Sequence, residues 1–300
     1  MRAGVTSPRP GVRGRRSPQP TTGPRAGESG RGSGQRLTAR AAAELSGLLI
    51  VAQRDVIKLI RDRPRLAVNL AFPVLLIAGL GGLLQPTVGR VTGLSTTTLA
   101  FTGVLAASLF QSAAAGMISI VEDRESDFSR ELFIAPVSRL TLLAGKVTGE
   151  SAVAVCQGLC IVVFGLAVGV RFGGWQAAGL AGAGLACCLL GAAFGLVTIA
   201  VLPTQRSAMQ IFQFLIIPQY VLSGVLVPLA GAPRLLGAIA WAMPMRYCVD
   251  LMRAAFYAGS TGYGRVVTGG PALDVAVITG LAVALTAAGA AAFEYRERVR

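Results

Sequence analysis

Ionisable side chains are scarce in this chain, and the densest group of carboxylates falls in one short stretch. Lys, Arg, Asp and Glu make up 14% of the 300 residues, and nine charges fall between Glu122 and Lys146. Glu122, Asp123, Glu125, Asp127 and Glu131 have the hard oxygens that chelate Mg²⁺ beside phosphates. Arg124 and Arg130 are interleaved with them, which favours mutual salt pairing instead. Histidine is absent, which excludes imidazole catalysis, the commonest haem ligands and most zinc or copper sites. Cys156, Cys160, Cys187, Cys188 and Cys248 form no CxxC pair. Four of them lie in apolar runs, where a thiol acts as a small hydrophobe. No GxxxxGK[ST] occurs: Gly145-Lys146 is followed by Val147, and no glycine stands five residues before Gly145. The chain therefore has no phosphate-cradling loop of the usual kind. A membrane enzyme would need a nucleophile with its base, paired carboxylates or a metal site, and those parts are missing.

The elements that must carry the few charges are apolar. Hydrophobic residues make up 53% and the mean hydropathy is +0.62, whereas a soluble chain holds nearer a quarter charged residues. Stretches free of charge run over 66–89, 91–121, 151–170, 172–205, 207–233 and 275–293. Each exceeds or approaches the roughly 20 residues that cross a bilayer. The expectation is an all-α membrane protein with six transmembrane helices near 66–84, 97–121, 150–170, 175–202, 207–228 and 273–293, forming one unit over 65–296. Helix is required because lipid offers the backbone no water to bond. Small residues such as Gly179, Gly182, Gly184 and Gly191 allow close helix approach.

Basic residues set the orientation. Fourteen of the 28 precede the first span. Placing that end inside also puts Arg124, Arg130, Arg139, Lys146, Arg206, Arg296, Arg298 and Arg300 inside, and leaves Arg90, Arg171, Arg234, Arg246, Arg253 and Arg265 outside. This predicts a multi-pass protein of the plasma membrane with both termini cytoplasmic, including the short end 297–300. The net charge of +14 is then mostly topology rather than a nucleic-acid footprint. No signal peptide is visible, and the first span would itself direct insertion. Residues 1–36 hold five prolines, eight glycines and eight arginines, and read as a disordered cytosolic tail. Residues 37–64 place Leu45, Leu49, Ala52, Val56, Leu59 and Ile60 on one face and charges on the other. This predicts an amphipathic helix along the cytoplasmic surface, ended by Pro64.

Two connections differ from simple loops. In 122–149, Phe128, Leu132 and Phe133 make an apolar face among charges, Pro136 breaks the helix and Ser138 can cap the next. A short charged helix hung between two spans suits a partner's groove. The segment 228–272 is too apolar for a free loop, and Pro228, Pro233 and Pro244 cut it into pieces. It reads as two short, re-entrant helices on the outer side, with Trp241, Tyr247 and Tyr257 at the membrane interface and a possible pair between Asp250 and Arg246 or Arg253.

Together these elements resemble the ABC-2 type transporter permeases, over about residues 38 to 295. The matching features are Arg61-Asp62-Arg63-Pro64 before a span containing Pro73; Asp123 to Glu125, Arg130-Glu131-Leu132, Ala135-Pro136-Val137-Ser138-Arg139 and Gly145-Lys146 in the loop; Leu222-Ser223-Gly224 with Pro228; and Met243-Pro244-Met245-Arg246-Tyr247 with Arg253. The Ala-Pro-Val-Ser-Arg stretch looks nearest to the daunorubicin-resistance, drug-exporting branch. Ser126-Asp127 stands where members often have Gly. The resemblance implies a separate ATP-binding subunit coupled through Glu122, Arg124, Glu125, Phe128, Arg130, Glu131, Pro136 and Arg139. It implies an outer-segment motif of Ser223, Gly224, Pro228, Pro244, Tyr247 and Arg253. It implies pairing with a second copy or a related permease, with ATP and Mg²⁺ bound by the partner and no cofactor on this chain.

The implied function is export of a hydrophobic or amphiphilic, drug- or antibiotic-like compound, with ATP hydrolysed elsewhere. Gln111, Gln210, Gln213 and Gln219 are polar positions within spans that could line a path, although such residues also bond helix to helix. The alternatives are an ion-coupled secondary carrier and a non-transporting scaffold. A carrier usually places ionisable residues at mid-membrane, whereas Glu150 and Asp274 sit at span ends.

Overall fold

The computed structural model of the chain describes residues 53, 57, 61, 63–90, 93–119, 139–202, 204–226 and 233–299. The tail 1–36, most of the helix expected over 37–64, Pro228 and the loop residues Glu122, Arg124, Glu125, Phe128, Arg130, Glu131 and Pro136 lie outside the described residues. Every described secondary-structure element is helical: α1 Arg63–Leu83, α2 Thr96–Ile118, α3 Arg139–Ala167, α4 Gly174–Val201, α5 Gln205–Leu222, α6 Arg234–Trp241, α7 Pro244–Tyr257, α8 Tyr263–Val266 and α9 Pro271–Val299. A π-helical turn, Gln85–Gly89, follows α1.

A helix stands at each of the six stretches expected to span. Four contain stretches long and apolar enough to cross a membrane: Thr96–Ile118, Gly145–Ala167, Gly174–Ala200 and Pro271–Gly289. In α1 the apolar part is shorter, Ala67–Leu83. In α5 the apolar run is broken by Gln205, Arg206, Gln210, Gln213 and Gln219. Two ends differ from expectation for local reasons. α3 starts at Arg139, well before the expected 150, because nothing between Ser138 and Glu150 breaks a helix. α5 stops at Leu222 rather than 228, because Gly224 adopts φ +72°, a left-handed conformation that ends helices. Pro64 is the second residue of α1 as described. At the start of α5 the Thr204 hydroxyl accepts from the Ser207 N–H at 3.3 Å, an ordinary N-cap.

α2 is the axis of the bundle. Of its apolar stretch 78% is buried, against 17% for α9, so α2 is enclosed by protein and α9 is peripheral. α2 packs against α4 most extensively, and also against α1, α3 and α7. Gly191 and Gly195, one turn apart on α4, make the α2–α4 contact possible. A Cβ at Gly191 would strike the Phe110 carbonyl, and one at Gly195 the Ala114 carbonyl. This small-xxx-small seam lets two backbones touch without a hydrophobic solvent effect to drive them. Phe101 stacks with Phe172 at 6.4 Å and meets Phe256 edge-on at 6.2 Å, joining α2, the α3–α4 connection and α7.

Of the short helices between α5 and α9, α6 is largely exposed but α7 is not a surface feature. Twelve of the 14 residues of α7 are buried, because α7 packs against α2, α4 and α9. Tyr247 and Tyr257, expected at the membrane interface, are 8% and 6% exposed. Of the three aromatic anchors expected there, Trp241 alone is open, at 42%.

Candidate functional site

Four helices leave a chamber between them. α1, α2, α3 and α5 flank a half-open chamber of about 540 Å³, with Asn69, Phe72, Gln213, Ile217 and Val221 exposed along its mouth. It persists because α5 packs lightly on its neighbours and turns Met209, Gln213, Ile216, Ile217, Tyr220 and Val221 to the space. The walls are largely apolar, with Phe72, Pro73, Leu76 and Ile161 opposite α5. Their polar groups are Asn69, Ser108, Gln111, Ser112, Gln157, Gln213 and Tyr220. None of the described residues lining the chamber carries a charge. The Tyr220 hydroxyl donates to Gln111 Oε1 at 3.1 Å, spanning α5 and α2. Its ring meets Phe72 edge-on at 6.0 Å. The Ser108 hydroxyl is buried in the same wall, beside the Tyr220 side chain.

The second arrangement is a polar clamp at the C-terminal end of α5. Arg253, 3% exposed, donates from Nη2 to the Gly224 carbonyl at 2.7 Å. That carbonyl is offered by the left-handed turn after α5. The Met245 N–H donates to Gln219 Oε1 at 3.4 Å, a second tie between α5 and α7. The Asp250 carboxylate accepts from the Thr268 N–H at 3.0 Å, the Thr268 hydroxyl at 3.2 Å and the Gly269 N–H at 2.7 Å. Arg246 donates to that same hydroxyl at 3.0 Å and lies 3.8 Å over the Trp241 ring. The Asp–Arg pairing expected from helical spacing is thus relayed through Thr268. Burial pushes the Arg253 guanidinium down to about 10, opposed by Tyr257 and Asp250, so it stays protonated near neutrality. Tyr247 donates to the Trp241 carbonyl at 2.7 Å, bracing the α6–α7 corner.

The chamber, and the clamp as far as Arg253, fall in a stretch with recognisable relatives. The model of the family described as ABC-2 type transporter matches residues 46–257. The chain belongs to the ABC-2 type transporter family. Among curated relatives, "Putative transport permease ycf38" of Cyanophora paradoxa is 25% identical over 210 residues, covering 69% of this chain and 72% of that protein. This ABC-2 chain is therefore a transporter's membrane subunit, the permease component of its family.

The permease brings some of the expected residues together and separates others. Ser223, Gly224 and Arg253 converge in the clamp, with Pro244 opening α7 as its first residue. Gln111 and Gln213 line the chamber. Gln219 is buried and ties α5 to α7, and its Nε2 donates to the Leu215 carbonyl at 3.4 Å. Gln210 is exposed on α5 and lies outside the chamber lining. Arg139 is the first residue of α3. Sequence reasoning missed Gln157, Asn69 and Tyr220 in the chamber. Gln157 carried a usable signal, being the one amide in the apolar part of α3. Thr268 and Gly269 carried none, since Asp250 reaches them across 18 and 19 residues.

Proposed function

We propose that this permease is the membrane half of an ATP-driven exporter, and that the 540 Å³ chamber receives a hydrophobic or amphiphilic, drug- or antibiotic-like compound. The chamber is the observation that carries the reading. Its volume suits a drug-sized molecule, and its mostly apolar walls with a few convergent polar groups are what such sites offer. Energy would come from a separate ATP-binding subunit docking on the loop around Glu122–Arg139, with ATP and Mg²⁺ on that subunit. All six helices would span the plasma membrane, with both termini inside and α6–α8 as a re-entrant outer segment. A second copy or a related permease would complete the pathway. An ion-coupled carrier fits less well, since the described lining of the chamber lacks an ionisable group to bind the coupling ion.

The test is purification of the full chain from its native membrane in mild detergent, followed by an ATPase assay. A co-purifying ATPase, lost with Glu131→Lys or Pro136→Gly, is the expected result. A chain that transports in vesicles without ATP would overturn the reading. An Arg265→Cys variant should react with an impermeant thiol reagent from outside, and reaction only after lysis would invert the topology.

A further inference from the structure

We propose that the chamber selects uncharged amphiphiles and rejects permanently charged ones, a specificity that rests on the chamber being the cargo site. The wall's polar equipment is all neutral: Asn69, Ser108, Gln111, Gln157, Gln213 and Tyr220. Each amide offers both a donor and an acceptor. The Tyr220 hydroxyl occupies Gln111 Oε1, which leaves the Gln111 amide nitrogen as a donor. The Ser108 hydroxyl is buried beside the Tyr220 side chain. These groups match hydroxyl, carbonyl and amide substituents on an apolar body.

Two groups of charges on neighbouring helices lie outside the lining. Lys146 and Glu150 pair at 2.6 Å at the start of the apolar part of α3. Arg246, Asp250 and Arg253 belong to α7, which contributes no residue to the chamber. A quaternary ammonium or carboxylate seated against these apolar walls would give up part of its water and meet no counter-charge from the described lining. A neutral molecule would exchange water for the amides and lose little.

The experiment uses the full chain in nanodiscs and three dyes on one scaffold: a neutral coumarin amide, its trimethylammonium derivative and its carboxylate derivative. Binding is read by fluorescence anisotropy against empty nanodiscs. The neutral dye should bind at least about tenfold more tightly than either charged dye, the equivalent of about 1.4 kcal/mol. Gln213→Glu places a carboxylate in the wall and should shift preference toward the trimethylammonium dye by about tenfold. Gln210→Glu, on the same helix but outside the lining, should not. A wild-type chain that binds a charged dye as well as the neutral one, or binds no neutral dye, overturns the proposal. If Gln213→Glu still shifts the preference in that case, the chamber survives as the cargo site and only the neutral selectivity is lost. If neither Gln213→Glu nor Gln111→Leu alters binding of any dye, the functional reading fails with it.

Discussion

Replacing Gly191 by alanine tests whether the α2–α4 seam holds the bundle together. The added methyl would land on the backbone carbonyl of Phe110, and no side-chain rotation can relieve that contact. The helices must separate, which for overpacked sites costs about 1–3 kcal/mol. Alanine regains up to about 1 kcal/mol of backbone entropy relative to glycine within a helix. The net loss is about 1–2 kcal/mol, which at roughly 2–4 °C per kcal/mol lowers the unfolding temperature by about 2–8 °C. Gly182→Ala is the internal control: it lies on the same helix, and nothing stands within 4 Å of the place its methyl would take. It should be neutral or slightly stabilising. The protein supplies its own reporters, since Cys187, Cys188 and Cys248 are free and buried. Their reaction with a fluorogenic maleimide on heating marks unfolding, once the exposed Cys160 and the half-buried Cys156 are replaced by serine. Equal losses for the two alanine variants, or none for Gly191→Ala, would refute the seam as a close-packed contact.

Arg253→Met removes the donor from the buried Gly224 carbonyl, and should destabilise by about 1–3 kcal/mol, the cost of an unpaired buried group; a maleimide melt unchanged from wild type would contradict this. Lys146→Met removes the ammonium 2.6 Å from Glu150, whose side chain is 9% exposed, and should cost about 1.5–3 kcal/mol, the worth of a hydrogen bond to a charged group, with Lys146→Met/Glu150→Met milder than the single change. Thermal melts that rank the double variant below the single one would count against a buried pair. Tyr220→Phe takes the hydroxyl from Gln111 Oε1, a net loss of about 1 kcal/mol, and should alter dye affinity in nanodiscs; unchanged affinity would separate this bond from the chamber's function.

The positions of the helices were legible because an absence of charge over some 20 residues needs no tertiary information to be read. Their ends were less so. The stop after Leu222 depends on Gly224 adopting positive φ, and glycine is common in these spans for a different reason, close helix approach. The burial of α7 was hidden most thoroughly. Arg246, Asp250 and Arg253 make it read as an exposed outer piece, yet its charges are met by Gly224, Thr268 and Gly269, backbone and hydroxyl groups 18 to 29 residues away. Local sequence carries no trace of such partners. In the chamber, Gln111 and Gln213 stood out as amides in apolar runs. Tyr220 did not, because a tyrosine near a span end reads equally well as an interface anchor.

The enclosure of α2 also bears on how the molecule is made. α2 is synthesised long before the helices that bury it, and α7 ends about 140 residues downstream of Ile118. At about 5–20 residues per second, that interval lasts roughly 7–30 s. In a bilayer, the α2 face that will meet α4 lies against acyl chains until α4 is made, and the face that will meet α7 does so for the whole interval. Lipid must therefore be displaced twice, once along the Phe110–Ala114 ridge as α4 arrives and again as α7 closes. Assembly of the bundle is paced by translation, and the seating of a charged helix against a face that lipid had kept is followed only by the arrival of α9.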